Sequence, residues 1–138
     1  MNRIGPREHE ELLVRAFVVR PKQERLIELL AKPKRRQDVL MTLPHFHDLD
    51  PRFAVRVPSA QQSSSELLKL LRAHGAPADC YVLSEKKDLD GHTVPLEAAL
   101  DAVVGRGMGA LLSCIPGRLG YFEGEVSGER YVLERRAA

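Results

Sequence analysis

The stretch FAVRVPSAQQSSSELLKLLRAHGAPADCYVLSE, Phe53 to Glu85, carries the local signals that decide the predicted fold. Alternating apolar and polar residues indicate a strand from Phe53 to Val57, and an apolar run indicates another from Cys80 to Ser84. Between them, the spacing Ser63-x-x-Glu66 is typical of the capping box that begins a helix, which Gly75 then ends. Strand, helix and strand in this order predict a βαβ crossover with two parallel strands.

The same order recurs in the next part of the chain. Pro95 stands in the first turn of a predicted helix that Gly105 ends, and an apolar strand follows from Ala110 to Ile115. By the same crossover rule, we expect this third strand to lie parallel to the second.

Two turn signals, Pro116-Gly117 and Ser127-Gly128, divide the C-terminal part of the chain. They predict an antiparallel meander in which the third strand is followed by strands from Arg118 to Glu125 and from Glu129 to Glu134. The sequence therefore predicts an α/β fold of mixed α+β character. Its features are a mixed five-stranded sheet, two βαβ crossovers, a C-terminal antiparallel meander and a helical N-terminal segment.

Prolines at positions 6, 21 and 33 divide that N-terminal segment. Proline is favoured in the first turn of a helix and unfavourable inside one, so this pattern predicts two or three helices. We expect a single domain over residues 1–138, with the helical segment at 1–43 and the mixed α/β sheet at 53–135.

Composition limits the classes of partner. The 138 residues are 43% hydrophobic and 29% charged, which is typical of a globular chain. Tryptophan is absent and aromatic residues make up 5%, so few rings are left to stack on the bases of single-stranded nucleic acid. The net charge is +2, but residues 1–57 carry 12 lysines and arginines against 8 acidic residues. An anionic partner would therefore favour the N-terminal half.

The location in the cell is predicted from cysteine use and apolar runs. The chain has two cysteines, no apolar signal core at its N-terminus, and no apolar run of the roughly 20 residues that span a bilayer. We expect no disulfide framework, no membrane partner and a cytoplasmic protein. Cys114 stands four residues before Arg118, but both flank a predicted tight turn, so we expect a buried strand cysteine and not an activated thiol.

The edge of the predicted parallel sheet is the first candidate site. Ligands bind beyond the carboxyl ends of parallel strands, where helix N-termini present free N–H groups. The residues predicted to converge there on an anionic ligand are Ser63, Ser64, Ser65, Glu85, Asp90, His92 and Arg118. Taken singly, the serines are explained as helix caps and Asp90 as a turn residue.

A basic patch at the predicted start of a helix is the second candidate. It comprises Lys32, Lys34, Arg35 and Arg36. Positive charge at a helix N-terminus opposes the helix dipole unless an anion or an acidic partner offsets it, which favours phosphate, RNA or an acidic protein surface. The alternative is a solvated surface run.

The loop PHFHDLD offers a third candidate, a metal site. Alternating imidazoles on an extended segment can face one ion while carboxylates complete its shell, and the ligands would be His45, His47, Asp48 and Asp50. The alternative is a polar loop whose histidines and aspartates cap neighbouring backbone groups.

These candidates lead to three hypotheses of function. The first is a small binding or regulatory domain for an anionic ligand, which would be a phosphate-containing small molecule, a nucleic acid such as RNA, or an acidic protein. The second is a small hydrolase or transferase that uses Asp and His groups at the sheet edge or in the 45–50 loop. The third is a homo-oligomeric assembly module that pairs through its C-terminal strand, RYVLER. No motif assigns a cofactor.

Overall fold

The structure is a computed structural model that describes residues 4–135, so residues 1–3 and 136–138 of the predicted domain lie outside the described residues. Its helices are α1 (Pro6–Phe17), α2 (Arg20–Leu30), α3 (Pro33–Thr42), α4 (Ser64–Ala73) and α5 (Leu96–Val103). Its strands are β1 (Ala54–Arg56), β2 (Asp79–Ser84), β3 (Thr93–Pro95), β4 (Ala110–Ile115), β5 (Leu119–Glu123) and β6 (Arg130–Glu134). None of these described helices has the length and apolar character needed to cross a membrane.

Local signals place the helices close to their predicted positions. The three helices α1, α2 and α3 confirm the predicted helical N-terminal segment. Each has a proline in its first turn, as predicted. Before α4, the Ser63 hydroxyl accepts a hydrogen bond of 3.2 Å from the Glu66 N–H, as its capping spacing predicts. Gly75, after α4, adopts φ +100°, a left-handed conformation that suits glycine at a helix end.

The six strands form one antiparallel sheet in the order β1-β6-β5-β4-β2-β3. The prediction of a five-stranded mixed sheet with two βαβ crossovers is therefore wrong, and the fold is of the α+β class. Strands β2 and β4, expected to be parallel, run antiparallel with Tyr81 opposite Ser113. Strands β1 and β2, predicted to be the two parallel strands of one βαβ crossover, do not pair, because three other strands lie between them. The predicted C-terminal meander of β4, β5 and β6 is confirmed.

The short strand β3 explains why β2 and β4 are antiparallel and not parallel as predicted. It pairs antiparallel with β2 and reverses the chain just before α5 begins at Leu96. Helix α5 therefore connects β3 to β4, two strands that point in the same direction with β2 between them. Proline is typical of a helix start, so Pro95 predicts a helix at this position. The three-residue strand that reverses the chain direction there is therefore not predicted.

Helices cover both faces of the sheet because successive strand residues point into two different cores. Val82 and Leu112 belong to the core formed with α4 and α5. Leu83 and Leu111 belong to the core formed with α1, α2 and α3. The cavity left between these three helices and the sheet is about 10 Å³, no more than the room for one water, so this interior holds no ligand.

The final strand β6 lies inside the sheet. Strand β5 pairs with one side of it over Arg130 to Glu134, and β1 pairs with the other over Tyr131 to Leu133. The backbone edge through which two copies were expected to pair is therefore occupied over these residues. The edges of the sheet are β1 and β3.

Candidate functional site

The residues predicted to converge at one sheet edge lie at opposite ends of the sheet. Because β2 and β4 are antiparallel, the chain leaves them in opposite directions. Glu85 and Asp90 follow the end of β2, which lies beside the start of β4 at Ala110. Arg118 follows the end of β4 and is exposed at the turn into β5. The expectation of a site held by Arg118 together with Glu85 and Asp90 is therefore wrong.

The serine cluster before α4 is engaged within the protein. Ser63 caps the helix, and its hydroxyl lies 3.3 Å from that of Ser65. The Ser64 hydroxyl donates to the carboxylate of Asp101, in the neighbouring helix α5. That carboxylate brings negative charge to this helix start, which disfavours a bound anion there.

The basic patch is divided between surface and interior. Lys32, Lys34 and Arg35 are exposed, whereas the side chain of Arg36 is 20% exposed and turns inward. Arg36 donates to Glu10 Oε1 at 2.7 Å, and its Nε and Nη2 donate to the two carboxylate oxygens of Asp90 at 2.9 and 3.1 Å. The patch therefore supplies surface charge at three positions and a buried ion-pair network at the fourth.

This network connects the N-terminal helices to the sheet. Glu10 lies in α1, Arg36 in α3 and Asp90 in the loop before β3, while the Tyr81 hydroxyl of β2 donates to Glu10 Oε2. His9 stacks on the Tyr81 ring with 4.8 Å between centroids. Asp90 also accepts a hydrogen bond of 3.1 Å from the Ser84 N–H. Four separate segments are therefore fixed to one another.

Burial and hydrogen bonding together shift the pKa values of the network. It lowers the Arg36 pKa, but hydrogen bonds with Glu10 and Asp90 outweigh it and hold that pKa above its usual range. Burial raises the pKa of Tyr81, and the nearby Glu10 raises it further. Burial lowers the pKa of His9 despite the neighbouring carboxylates. With both Asp90 oxygens accepting from Arg36, the hypothesis of Asp90 as a general base beside the exposed His92 gains no support.

Another buried carboxylate, Glu123, lies on the other face of the sheet and was not predicted. It is 1% exposed and accepts hydrogen bonds from the Tyr121 hydroxyl at 2.7 Å and the Gly105 N–H at 2.8 Å. Arg130 Nε lies 3.4 Å from its Oε1. This arrangement balances the buried charge and fixes the end of α5 to the sheet.

The 45–50 loop uses its polar groups separately. His45 Nδ1 lies 3.0 Å from Glu125 Oε2, and the Asp48 carbonyl accepts a hydrogen bond of 2.9 Å from the Val19 N–H. His47 is exposed beside a groove of aromatic residues, and Asp50 accepts hydrogen bonds from the Arg52 side chain. Within residues 4–135, no group of three or more His, Cys, Asp or Glu side chains is arranged to hold a metal ion.

A cleft of about 460 Å³ lies where α1, α2 and the segment before β1 meet the end of β6. We call it the arginine cleft. Its lining residues are Arg15, Ala16, Val18, Arg20, Gln23, Glu24, Asp50, Arg52, Phe53 and Arg135. Four arginines therefore face two carboxylates, and the cleft carries a positive charge.

Two of the four arginines are already paired. Arg15 lies 2.7 Å from Glu24, and Arg52 lies 2.7 Å from Asp50. Hydrogen bonds from the Arg52 side chain and backbone hold the pKa of Asp50 below its usual range, so this carboxylate stays ionised at neutral pH.

The other two arginines are available. Within the described part of the chain, no carboxylate lies within 4.0 Å of the guanidinium of Arg20 or of Arg135. Arg135 instead stacks on the Phe53 ring, 4.2 Å from its centroid, and Arg52 lies 5.0 Å from the same centroid. The cleft thus presents unpaired forked donors beside an aromatic ring, which suits a planar or tetrahedral anionic group.

Sequence reasoning missed this cleft. The basic excess of residues 1–57 includes Arg15, Arg20 and Arg52, and it was the only signal that pointed to them. Nothing local brings Arg135 to the same place, since the pairing of β6 with β1 puts it there.

Comparisons with known proteins give no match: no family model, no curated protein and no solved structure resembles this chain. The chemistry of the arginine cleft is therefore the best guide to function.

Proposed function

We propose that this protein is a small binding or regulatory domain that holds an anionic group in the arginine cleft. One observation carries the proposal: Arg20 and Arg135 face a cleft of about 460 Å³ with no carboxylate within 4.0 Å among the described residues. Arginine donors in a fork match the oxygens of carboxylate and phosphate groups, and the cleft volume lies in the range of known ligand sites.

The balance of charge supports the same proposal. The arginines of the cleft repel one another, and only part of this repulsion is relieved by Glu24 and Asp50. A bound anion completes the neutralisation. The exposed Lys32, Lys34 and Arg35 of the basic patch lie on α3 or just before it and do not line this cleft, so they offer a separate and less enclosed surface.

Titration with tripolyphosphate, followed by backbone amide NMR, tests the proposal. We expect the largest shifts at Arg20, Arg52 and Phe53, and a weaker response at high salt because the contacts are electrostatic. Shifts confined to Lys34 and Arg35 would move the site to the basic patch. The absence of any shift at millimolar tripolyphosphate would refute the proposal.

A further inference from the structure

Beside the arginine cleft, the edge strand β1 has backbone groups that no other strand uses. The Val57 N–H donates to the Arg130 carbonyl at 2.8 Å, so Val57 and, two residues earlier, Val55 direct their backbone groups toward β6. Ala54 and Arg56 alternate with them and direct theirs outward. No hydrogen bond within residues 4–135 involves these four outward backbone groups.

The other edge of the sheet is blunted. In β3, the pairs of Val82 with His92 and of Ala78 with Leu96 leave Thr93 and Pro95 facing outward. Proline has no N–H, so β3 offers one outward donor where β1 offers two. Exposed edges normally carry such protection, and β1 has no proline within its three residues.

Side chains on β1 define what would pair with it. Arg56 lies on the sheet face that carries α1, α2 and α3, because its partner Tyr131 packs in that core. The arginine cleft opens on the same face, at the beginning of β1. On the opposite face, Val55 is 65% exposed. A strand laid along β1 would thus meet positive charge on one face and an apolar side chain on the other.

We propose that an acidic peptide in extended conformation pairs with the free edge of β1, with its carboxylates directed toward Arg56 and the arginine cleft. This inference rests on the proposed function and specifies its ligand as a segment of an acidic protein. Backbone hydrogen bonds would supply affinity, and alternating side chains would supply selectivity. A second copy of this chain fits less well, because two β1 edges would place Arg56 of each copy against the basic edge of the other.

The test uses two twelve-residue peptides of equal composition, one alternating Glu and Val, the other built of Glu-Glu-Val-Val repeats. Only the alternating peptide can place every carboxylate on one face of a strand. We expect it to bind at least about tenfold more tightly. Arg56→Glu should abolish this preference, whereas Thr93→Glu, on the other edge strand, should leave it unchanged.

Residue-resolved amide exchange locates the peptide. The amides of Ala54 and Arg56 should exchange rapidly in the free protein and at least about tenfold more slowly with the alternating peptide, while Val55 changes little. Tripolyphosphate should leave all three unchanged.

Four outcomes would overturn the strand pairing. Equal affinity for both peptides, or binding without protection at Ala54 and Arg56, would leave the arginine cleft as a simple anion site. Binding of tripolyphosphate or an RNA oligomer without binding of either peptide would assign a different ligand. Protection of Ala54 in the free protein that disappears on dilution would assign the edge to a second copy. If neither tripolyphosphate nor either peptide binds, both the proposed function and the strand pairing are refuted.

Discussion

Replacing Arg36 by methionine tests whether the buried ion-pair network holds the N-terminal helices on the sheet. The side chain of Arg36 is 20% exposed, and those of its partners Glu10 and Asp90 are 9% and 15% exposed. Methionine fills a similar volume but leaves both carboxylates without their cation. Removing one partner of a buried ion pair typically lowers the free energy of unfolding by about 3–5 kcal/mol, because the remaining charge is buried without a partner.

The magnitude is set by the contacts that are lost. Arg36 makes three hydrogen bonds of 2.7 to 3.1 Å to carboxylate oxygens and a fourth of 3.3 Å to the Leu30 carbonyl. Hydrogen bonds to charged groups contribute about 1.5–3 kcal/mol each, and three in one network are not additive. We therefore expect a loss of about 3–4 kcal/mol. The free energy of unfolding of a chain of this length is about 7 kcal/mol or more, so the variant should remain folded.

Urea unfolding followed by far-ultraviolet circular dichroism measures this loss, since the protein has no tryptophan. The midpoint should fall by about 2 M. The matched control is Arg35→Met, because Arg35 is exposed and lies 3.9 Å from Asp38. An exposed ion pair of this kind contributes about 0.5 kcal/mol or less to stability. Adding Glu10→Gln to Arg36→Met removes one of the two carboxylates left without a cation. This should restore at least about 1 kcal/mol of the free energy of unfolding. Equal losses in Arg35→Met and Arg36→Met would refute the reasoning.

Three other variants or reagents test particular parts of the structure. Burial raises the pKa of Cys114 to about 12, so this thiol should not react with a disulfide reagent at about pH 8 until urea exposes it. Burial lowers the pKa of His9 below its ordinary 6.5, so the unfolded chain takes up the proton first and stability falls as the pH drops below 6.5. His9→Phe should therefore lose less stability than the native protein between about pH 7.5 and about pH 5 in urea titrations. Gly109 and Gly105 both have positive φ, but only a Cβ at Gly109 would overlap the Pro44 backbone, so Gly109→Ala should cost about 1–3 kcal/mol more than Gly105→Ala.

The parts of the fold that follow local signals could be predicted. Prolines in the first turn fix the starts of α1, α2 and α3, and Ser63 fixes the start of α4, because caps and helix starts depend on neighbours within four residues. The strand from Ala110 to Ile115 has the predicted bounds, since an apolar run between glycines is a local signal as well.

The order of strands depends on distant contacts and could not be predicted in the same way. Strand β1 has three residues and pairs with β6 near the other end of the chain, so no local pattern indicates its neighbour. The βαβ rule gives the wrong pair of strands because three residues of β3 reverse the chain direction before α5, so this helix connects β3 and not β2 to β4. A single overlooked strand is enough to turn an expected parallel pair into an antiparallel one.

The candidate site shows the same division. Arg36 belongs to a run of four basic residues within five positions, and sequence alone assigns it to the surface with the others. The packing of α3 beside α1 turns it inward to Glu10 instead. Likewise, Arg20 and Arg135 meet in one cleft only because α2 and the end of β6 are neighbours in the folded protein.

Calorimetric titration of tripolyphosphate into two double variants tests the central claim most directly. Arg20→Gln with Arg135→Gln removes two charges from the arginine cleft, and Lys34→Gln with Arg35→Gln removes two charges from the exposed basic patch. We expect the cleft variant to lose about tenfold or more in affinity and the patch variant to bind nearly as the native protein does. Equal weakening of both variants would show that net charge alone attracts the anion, and a loss confined to the patch variant would contradict the assignment of the site to the cleft.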